Sequence, residues 1–286
     1  MHVLVAGCGW LGTAVAAALL ERGDRVTGVR RDPGRAEALR PLGVEPLALD
    51  LADPAAADRI PHGVEAILAL QAAGAGPEDY RRAYLQANAT LLRAAQRLDL
   101  AALVYSGSTG VFGQRDGSQV DEATPPAPDS ATARVLAEAE RLLLGAAGIP
   151  VRIVRLSGLY GPARTGLIGR VRSGALALGP GDGAWMNFCH RDDAVAAILA
   201  ALDRGRDGAV YHASDARPMR RREVVRLVAE GLGIPPPQAA GTPAVAGPDR
   251  RISGTRTRTE LALELRWPTL GQGLADTFRS SGLAIE

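Results

Sequence analysis

The chain opens on a pattern that few folds can accommodate. Residues 3–6 are a short apolar run of β type, Gly7-Cys8-Gly9-Trp10-Leu11-Gly12 follows at once, and residues 11–22 carry helical periodicity. A strand, a G-x-G-x-x-G turn and a helix in direct succession form the first βα unit of a dinucleotide-binding fold. The spacing gives each glycine a task. The first permits a tight turn, the second lets backbone approach a pyrophosphate, and the third lets helix and strand pack closely. The helix start then offers N–H groups and the positive end of its dipole to the phosphates. In a chain with 34 glycines the six residues alone would say little. The strand before them, the helix after them and a second apolar run at 26–29 make the pattern specific.

Further along, apolar runs at 46–49, 66–70, 102–105 and 151–156 alternate with helical stretches at 35–42, 77–98 and 131–144. That alternation predicts an α/β fold, a doubly wound parallel sheet of the Rossmann type with helices on both faces. Gly23, Gly145 and Gly148 stand where helices should end. Asp192 is placed to cap a helix whose apolar positions are Val195, Ile198, Leu199 and Leu202, and Gly205 closes it. A strand at 209–213, a helix at 223–232 and a Pro/Gly/Ala-rich connection at 235–247 follow. The expected organisation is a dinucleotide-binding domain over 1–157 and a smaller substrate-side subdomain over 158–286, with about 187–213 returning to the sheet.

The end of the second strand selects the cofactor. NAD sites carry an Asp or Glu there, about twenty residues past the glycines, to accept the ribose hydroxyls. Here the strand ends Val29-Arg30-Arg31-Asp32, with Arg30 eighteen residues after Gly12. A guanidinium offers a planar donor fork to a 2′-phosphate, so Arg30, assisted by Arg31 and Arg35, points to NADP. Asp32 keeps NAD open as the alternative, because a small register shift would bring it to the ribose.

Composition removes other chemistries. All 33 basic residues are arginine, so no Schiff-base, phosphate-loop or general-base lysine is available. Two cysteines and four scattered histidines are too few for a disulfide framework or a four-ligand zinc site, and no metal is expected. A net charge of +2 with sparse aromatic residues does not fit a nucleic-acid partner. So few cysteines suit a reducing cytoplasm, the expected location. Residues 3–20 are uncharged, but three glycines interrupt them and no Lys or Arg precedes them, so no membrane association is expected.

Later motifs extend the pattern over nearly the whole chain. They are Leu49-Asp50-Leu51; residues 103–113, reading LVYSGSTGVFG; Arg155-Leu156-Ser157-Gly158-Leu159-Tyr160-Gly161-Pro162; Asn187-Phe188-Cys189-His190-Arg191-Asp192-Asp193; and residues 261–268. Taken in this order they resemble the extended short-chain dehydrogenases/reductases, and more closely an atypical branch of the NAD-dependent epimerase/dehydratase family. The resemblance implies cofactor contacts at Gly7, Gly9, Trp10, Leu11, Gly12, Arg30, Arg31, Asp50, Leu51, Ser106 and Gly158. It implies a catalytic role for Ser108, shared with Thr109, in holding a substrate oxygen. It places Tyr160, Asn187 and His190 on the substrate side, and it implies a homodimer.

One element of that family is missing. Its proton-transfer pair is Tyr-x-x-x-Lys, in which a cation lowers the tyrosine pKa so that the phenol can pass a proton. Aligned on 131–144, Arg134 takes the lysine position and Ser130 the tyrosine position. Arg134 can bind the nicotinamide ribose and supply charge, but a guanidinium does not carry protons. The expected function is an NADP(H)-dependent oxidoreductase or epimerase-like enzyme acting on a small polar carbonyl or sugar-like substrate. The alternative is a non-catalytic NAD(P)-binding sensor that kept the fold and lost the pair.

Overall fold

The computed structural model describes residues 1–239, 247–280 and 282. Its centre is a seven-stranded sheet: β1 (His2–Ala6), β2 (Arg25–Arg30), β3 (Glu45–Ala48), β4 (Ala66–Ala69), β5 (Ala102–Ser108), β6 (Val151–Leu156) and β7 (Val210–Ala213), in the spatial order β7-β6-β5-β4-β1-β2-β3. β1 pairs in parallel with β2 and β4, β2 with β3, and β4 with β5. Hydrogen bonds from the Leu103 amide to the Pro150 carbonyl and from the Ile153 amide to the Ala209 carbonyl extend the sheet to β6 and β7. This is the doubly wound α/β sheet, with the strand order reversing at β1/β4. Both faces of β1 and β4 are buried, which explains why these strands are continuously apolar rather than alternating.

The principal helices are α1 (Trp10–Glu21), α2 (Ala87–Ala95), α3 (Ala131–Leu144), α4 (Arg191–Arg204), α5 (Arg221–Gly231) and α6 (Leu270–Ser280). Two stretches read as single helices are divided. Residues 35–42 become the helix Pro33–Glu37 and the 3-10 turn Arg40–Leu42. Pro41 has no N–H to continue an α-helical ladder. Residues 77–98 hold a short α-helix, the π-helical segment Arg81–Gln86 and then α2. The Ala87 amide accordingly reaches back to the Arg82 carbonyl.

The chain forms two compact units. One comprises Met1–Phe112, Pro126–Arg155 and Val195–Tyr211; the other comprises Gly113–Pro125, Leu156–Ala194 and His212–Glu286. The first is built around Leu4, Ile67, Leu91, Leu103, Tyr105 and Leu143. Within it Arg155 forms a bidentate pair with Glu140 at 2.9 and 2.8 Å and lies 5.0 Å over the Phe112 ring. Both charged side chains are only 4% exposed. Removing one partner of such a pair costs about 3–5 kcal/mol, because the other charge is left buried. The second unit packs around Tyr160, Phe188, Val225, Leu270 and Phe278.

Three short strand pairs lie in the second unit. Gly158–Tyr160 runs parallel to Phe188–His190, Trp185–Met186 antiparallel to Met219–Arg220, and Ser118–Val120 parallel to Arg250–Ile252. Two or three residues carry no periodicity, so these pairs leave no trace in the sequence pattern. Of the connection expected at 235–247, residues 240–246 lie outside the described residues. No described helix is long and apolar enough to cross a membrane.

Candidate functional site

The glycine loop joins β1 to α1. Gly7 has φ +87°, and a Cβ there would lie 2.6 Å from the Gln71 nitrogen. A Cβ on Gly12 would lie 2.5 Å from the Gly7 carbonyl oxygen. The chain's own packing therefore requires both glycines. It does not require Gly9, where a Cβ would meet nothing closer than the Gly7 oxygen at 3.8 Å. Gly9 therefore leaves backbone open to close approach from outside the chain. Gly9 is also the N-cap of α1; it has no side chain to cap the helix, and the first turn contains no acidic residue. The loop is tied to β2 by the Cys8 amide, 2.9 Å from the Val29 carbonyl. Half-buried Trp10 starts α1, and Leu11 beside it is buried.

At the end of β2, Arg30 is half-buried and its Nε is enclosed without a hydrogen-bond partner among the described residues. Arg31 is exposed. The Asp32 carboxylate accepts from the Arg35 amide at 2.7 Å and so caps the helix Pro33–Glu37. Asp50 accepts from the Ala52 amide at 3.0 Å and from Arg82 Nη2 at 2.9 Å, and Leu51 next to it is buried. A basic fork, an uncapped helix start and a glycine no internal contact requires all suit the phosphates of a dinucleotide.

Two polar residues were absent from the sequence reading. Gln71 and Asn88 each have both amide atoms enclosed without a partner among the described residues. Gln71 follows β4 and its backbone abuts Gly7. A polar residue directly after a buried parallel strand stands at the carboxyl edge where α/β ligands bind, which was the available signal. Asn88 is fully buried on α2 beside Leu91 and Leu92, a polar interruption of an apolar face.

Ser108 ends β5. Its Oγ accepts from the Gly110 amide at 3.0 Å and caps the turn Thr109–Val111, and the residue stays partly exposed. Thr109 is buried, and Ser106 donates to the Ala69 carbonyl at 3.2 Å. At the start of α3, Ser130 accepts from the Ala133 amide at 3.1 Å as N-cap. Arg134 is exposed on that helix.

In the second unit Gly158 donates its amide to the Asn187 carbonyl at 3.0 Å. The Asn187 side chain donates to the Arg250 carbonyl at 2.9 Å and accepts from the Ile252 amide at 2.7 Å, which occupies both ends of the amide. Tyr160 is buried, donates to the Thr269 carbonyl at 3.4 Å, and stacks edge-on with Phe188 and His190. Burial, reinforced by the charge of Asp215, pushes its phenol far above the ordinary range. His190 is fully buried. Its Nδ1 accepts from the Asp192 amide at 3.2 Å, and its Nε2 lies 3.4 Å from Asp276 Oδ2. Burial lowers its pKa, so the ring is neutral near pH 7.

His190, Asp192 and Asp276 bring three ligand atoms within 4.8 Å of one another. Arg191 and Arg266 pair with Asp192 at 3.0 and 3.8 Å, and Arg279 with Asp276 at 3.9 Å. These arginines already balance the carboxylates, so the charge of the cluster does not call for a cation.

With this geometry in hand, comparison with known proteins is specific. The model of the NAD dependent epimerase/dehydratase family matches residues 3–214. Protein YeeZ of Escherichia coli strain K12 is 31% identical over 93% of this chain and 96% of its own length. A 3-diazoavenalumate denitrifying reductase of a Streptomyces species is 31% identical over 96% of this chain and 99% of its own. MoeE5, solved in complex with UDP-glucose and NAD, superposes with a TM-score of 0.83 over 99% of both chains. At 24% identity that likeness shows the fold alone. The family match over most of the sheet and the full-length relatives agree: this chain belongs to the NAD-dependent epimerase/dehydratase family.

Proposed function

We propose that this protein is an NADP(H)-dependent oxidoreductase of the extended short-chain dehydrogenase/reductase type, acting on a small polar carbonyl or sugar-like substrate. The observation that carries the reading is the glycine loop, in which Gly9 is left open and α1 starts without a side-chain cap. Arg30 supports the 2′-phosphate, and the capping bond of Asp32 keeps that carboxylate on the chain's own backbone. A full-length relative named as a reductase supports the class of reaction. A bound nicotinamide supplies hydride transfer.

The chain's residues would divide the remaining work. Gly7, Gly9, Trp10, Leu11 and Gly12 hold the pyrophosphate, Asp50 and Leu51 the adenine side, and Ser106 and Gly158 flank the cofactor. Ser108 positions the substrate oxygen, with Thr109 beside it, and Arg134 supplies positive charge to the nicotinamide ribose. Tyr160, Asn187 and His190 shape the substrate side through the contacts described above. The proton has to come from a group other than Ser130, whose hydroxyl is far less acidic than a phenol and caps α3. Tyr160 is an equally poor donor, since its phenol is buried and its pKa is displaced upward.

Titrating the purified protein with NADPH and NADH, then screening carbonyl compounds for cofactor oxidation, tests the reading. It expects tighter NADPH binding and turnover that Ser108→Ala removes without weakening cofactor binding. Tight binding with no turnover on any carbonyl would instead favour a sensor, and preference for NADH would overturn the role of Arg30.

A further inference from the structure

The π-helical segment Arg81–Gln86 opens on two consecutive arginines, and each reaches a carboxylate on a different element. Arg82 Nη2 lies 2.9 Å from Asp50 Oδ2, just past the end of β3. Arg81 Nη1 lies 3.5 Å from Glu138 Oε2 on α3. All four side chains are between 41% and 46% exposed. Exposed ion pairs of this kind contribute little to folding. Their weight lies in where they hold charge, and π-helical turns are rare elements that frequently stand at functional sites.

Glu138 has a second arginine within reach. Arg134 stands four residues before it on α3, a spacing that brings two side chains together on a helix. Glu138 is also the one acidic residue three or four places from Arg134. Opposite charges so placed attract modestly, and α3 by itself would join them. In the structure the carboxylate faces Arg81 instead. Arg134 is exposed and makes no ion pair among the described residues. The next acid along α3, Glu140, is buried and held at both oxygens by Arg155.

We propose that Arg81 is a positioning residue for the cofactor: by holding Glu138, it keeps the Arg134 guanidinium unpaired and open to an anionic dinucleotide. Without Arg81, Glu138 returns to Arg134. That cancels the charge of Arg134 and sets a carboxylate beside a ligand that carries phosphates. The π-helical turn, tied to Asp50 through Arg82, supplies the cation that competes for Glu138. The inference rests on the oxidoreductase reading above for the role of Arg134.

Calorimetric titration of the full chain with NADPH tests it, and the thermal midpoint of each variant confirms folding. Arg134→Gln should weaken NADPH by about tenfold, the loss of one charge-assisted bond. Arg81→Gln should weaken it by about two- to fivefold, the scale of one exposed ion pair. That loss should be larger at low ionic strength than at high, because salt screens exposed charges. Adding Glu138→Gln to Arg81→Gln should restore the parent affinity, and Arg81→Lys, which keeps the cation, should stay close to the parent. In the Arg134→Gln background, Arg81→Gln should change nothing further. An effect of Arg134→Gln with none of Arg81→Gln overturns the inference alone. So does a loss in Arg81→Gln that Glu138→Gln fails to restore, or one that persists without Arg134, which would put Arg81 on the cofactor itself. Unchanged affinity in Arg134→Gln overturns the reading of Arg134 in the proposed site, and the inference with it.

Discussion

Two helix starts in this chain have opposite designs. α1 begins at Gly9, with no capping side chain and no acidic residue in its first turn. α3 begins at Ser130, whose hydroxyl accepts from the Ala133 amide. An isolated helix favours the second arrangement, since a serine N-cap contributes about 1 kcal/mol. Leaving α1 without one gives up stability unless an anion completes the helix start. The family resemblance puts the missing tyrosine at Ser130, so the two ends of one proposed site have diverged. One leaves its N–H groups without a side-chain acceptor, and the other has closed its helix start with its own side chain.

The glycine loop is where the comparison breaks most sharply. Gly12→Val would force a Cβ to within 2.5 Å of the Gly7 oxygen, so both folding of the loop and cofactor affinity should fail. Gly9→Ala is the finer instrument, since its Cβ meets nothing closer than 3.8 Å. It should lower the thermal midpoint only slightly, alanine being a poorer N-cap than glycine, while weakening NADPH by about 100-fold or more, or roughly 3 kcal/mol. Unchanged affinity in Gly9→Ala, measured by calorimetry, would mean that no pyrophosphate lies on this backbone.

A second comparison is between two buried carboxylates, each with its pKa raised by burial and held down in part by backbone amides. Asp193, deeply buried, accepts from the amides of Arg266 and Trp267 at 2.7 and 3.1 Å. Asp215 is only 3% exposed, and burial pushes its carboxyl up to about 8. A folded-state pKa above that of the unfolded chain means the folded state holds the extra proton. Stability contributed by that proton is therefore full at acid pH and declines as pH rises towards about 8. Asp215→Asn should raise the thermal midpoint at pH 9 by several degrees, on the order of 2 kcal/mol, and the gain should shrink at pH 5. A gain that grows on acidification would reverse the assigned sign.

Arg30 sharpens the first comparison from the cofactor side. Replacing it with Gln should weaken NADPH by about tenfold, one charge-assisted hydrogen bond, and leave NADH nearly unchanged. Equal losses for both cofactors would place Arg30 on the pyrophosphate or adenine rather than on the 2′-phosphate.

The sheet was legible because buried parallel strands are continuously apolar and the glycines between β1 and α1 have a spacing few structures share. Strand pairs such as Gly158–Tyr160 with Phe188–His190 were not, because they are held by tertiary contacts rather than by a periodic pattern. The glycine loop was legible in part, since Gly7 and Gly12 act through backbone shape and close packing that residue type encodes. Gln71 and Asn88 escaped notice because their significance is that they are enclosed without partners, a property of packing. The pairing of Arg81 with Glu138 joins positions far apart in the chain, and a sequence rich in arginine gives no means of singling Arg81 out.

The smallest expected effect tests whether the closed helix start is purely structural. Ser130→Ala removes the cap on α3 and exposes the Ala133 amide, which should cost about 1 kcal/mol and lower the thermal midpoint by a few degrees. Ser130→Asp keeps an acceptor at the N-cap and adds charge favourable to the dipole, so it should restore that midpoint. If Ser130 only caps, NADPH affinity and turnover should be the same in both variants as in the parent. Suppose instead that turnover falls in Ser130→Ala and is not recovered by Ser130→Asp, whose fold is restored. The hydroxyl itself would then matter to the chemistry, and the serine that stands where the family keeps its tyrosine would have retained part of that residue's place in the reaction.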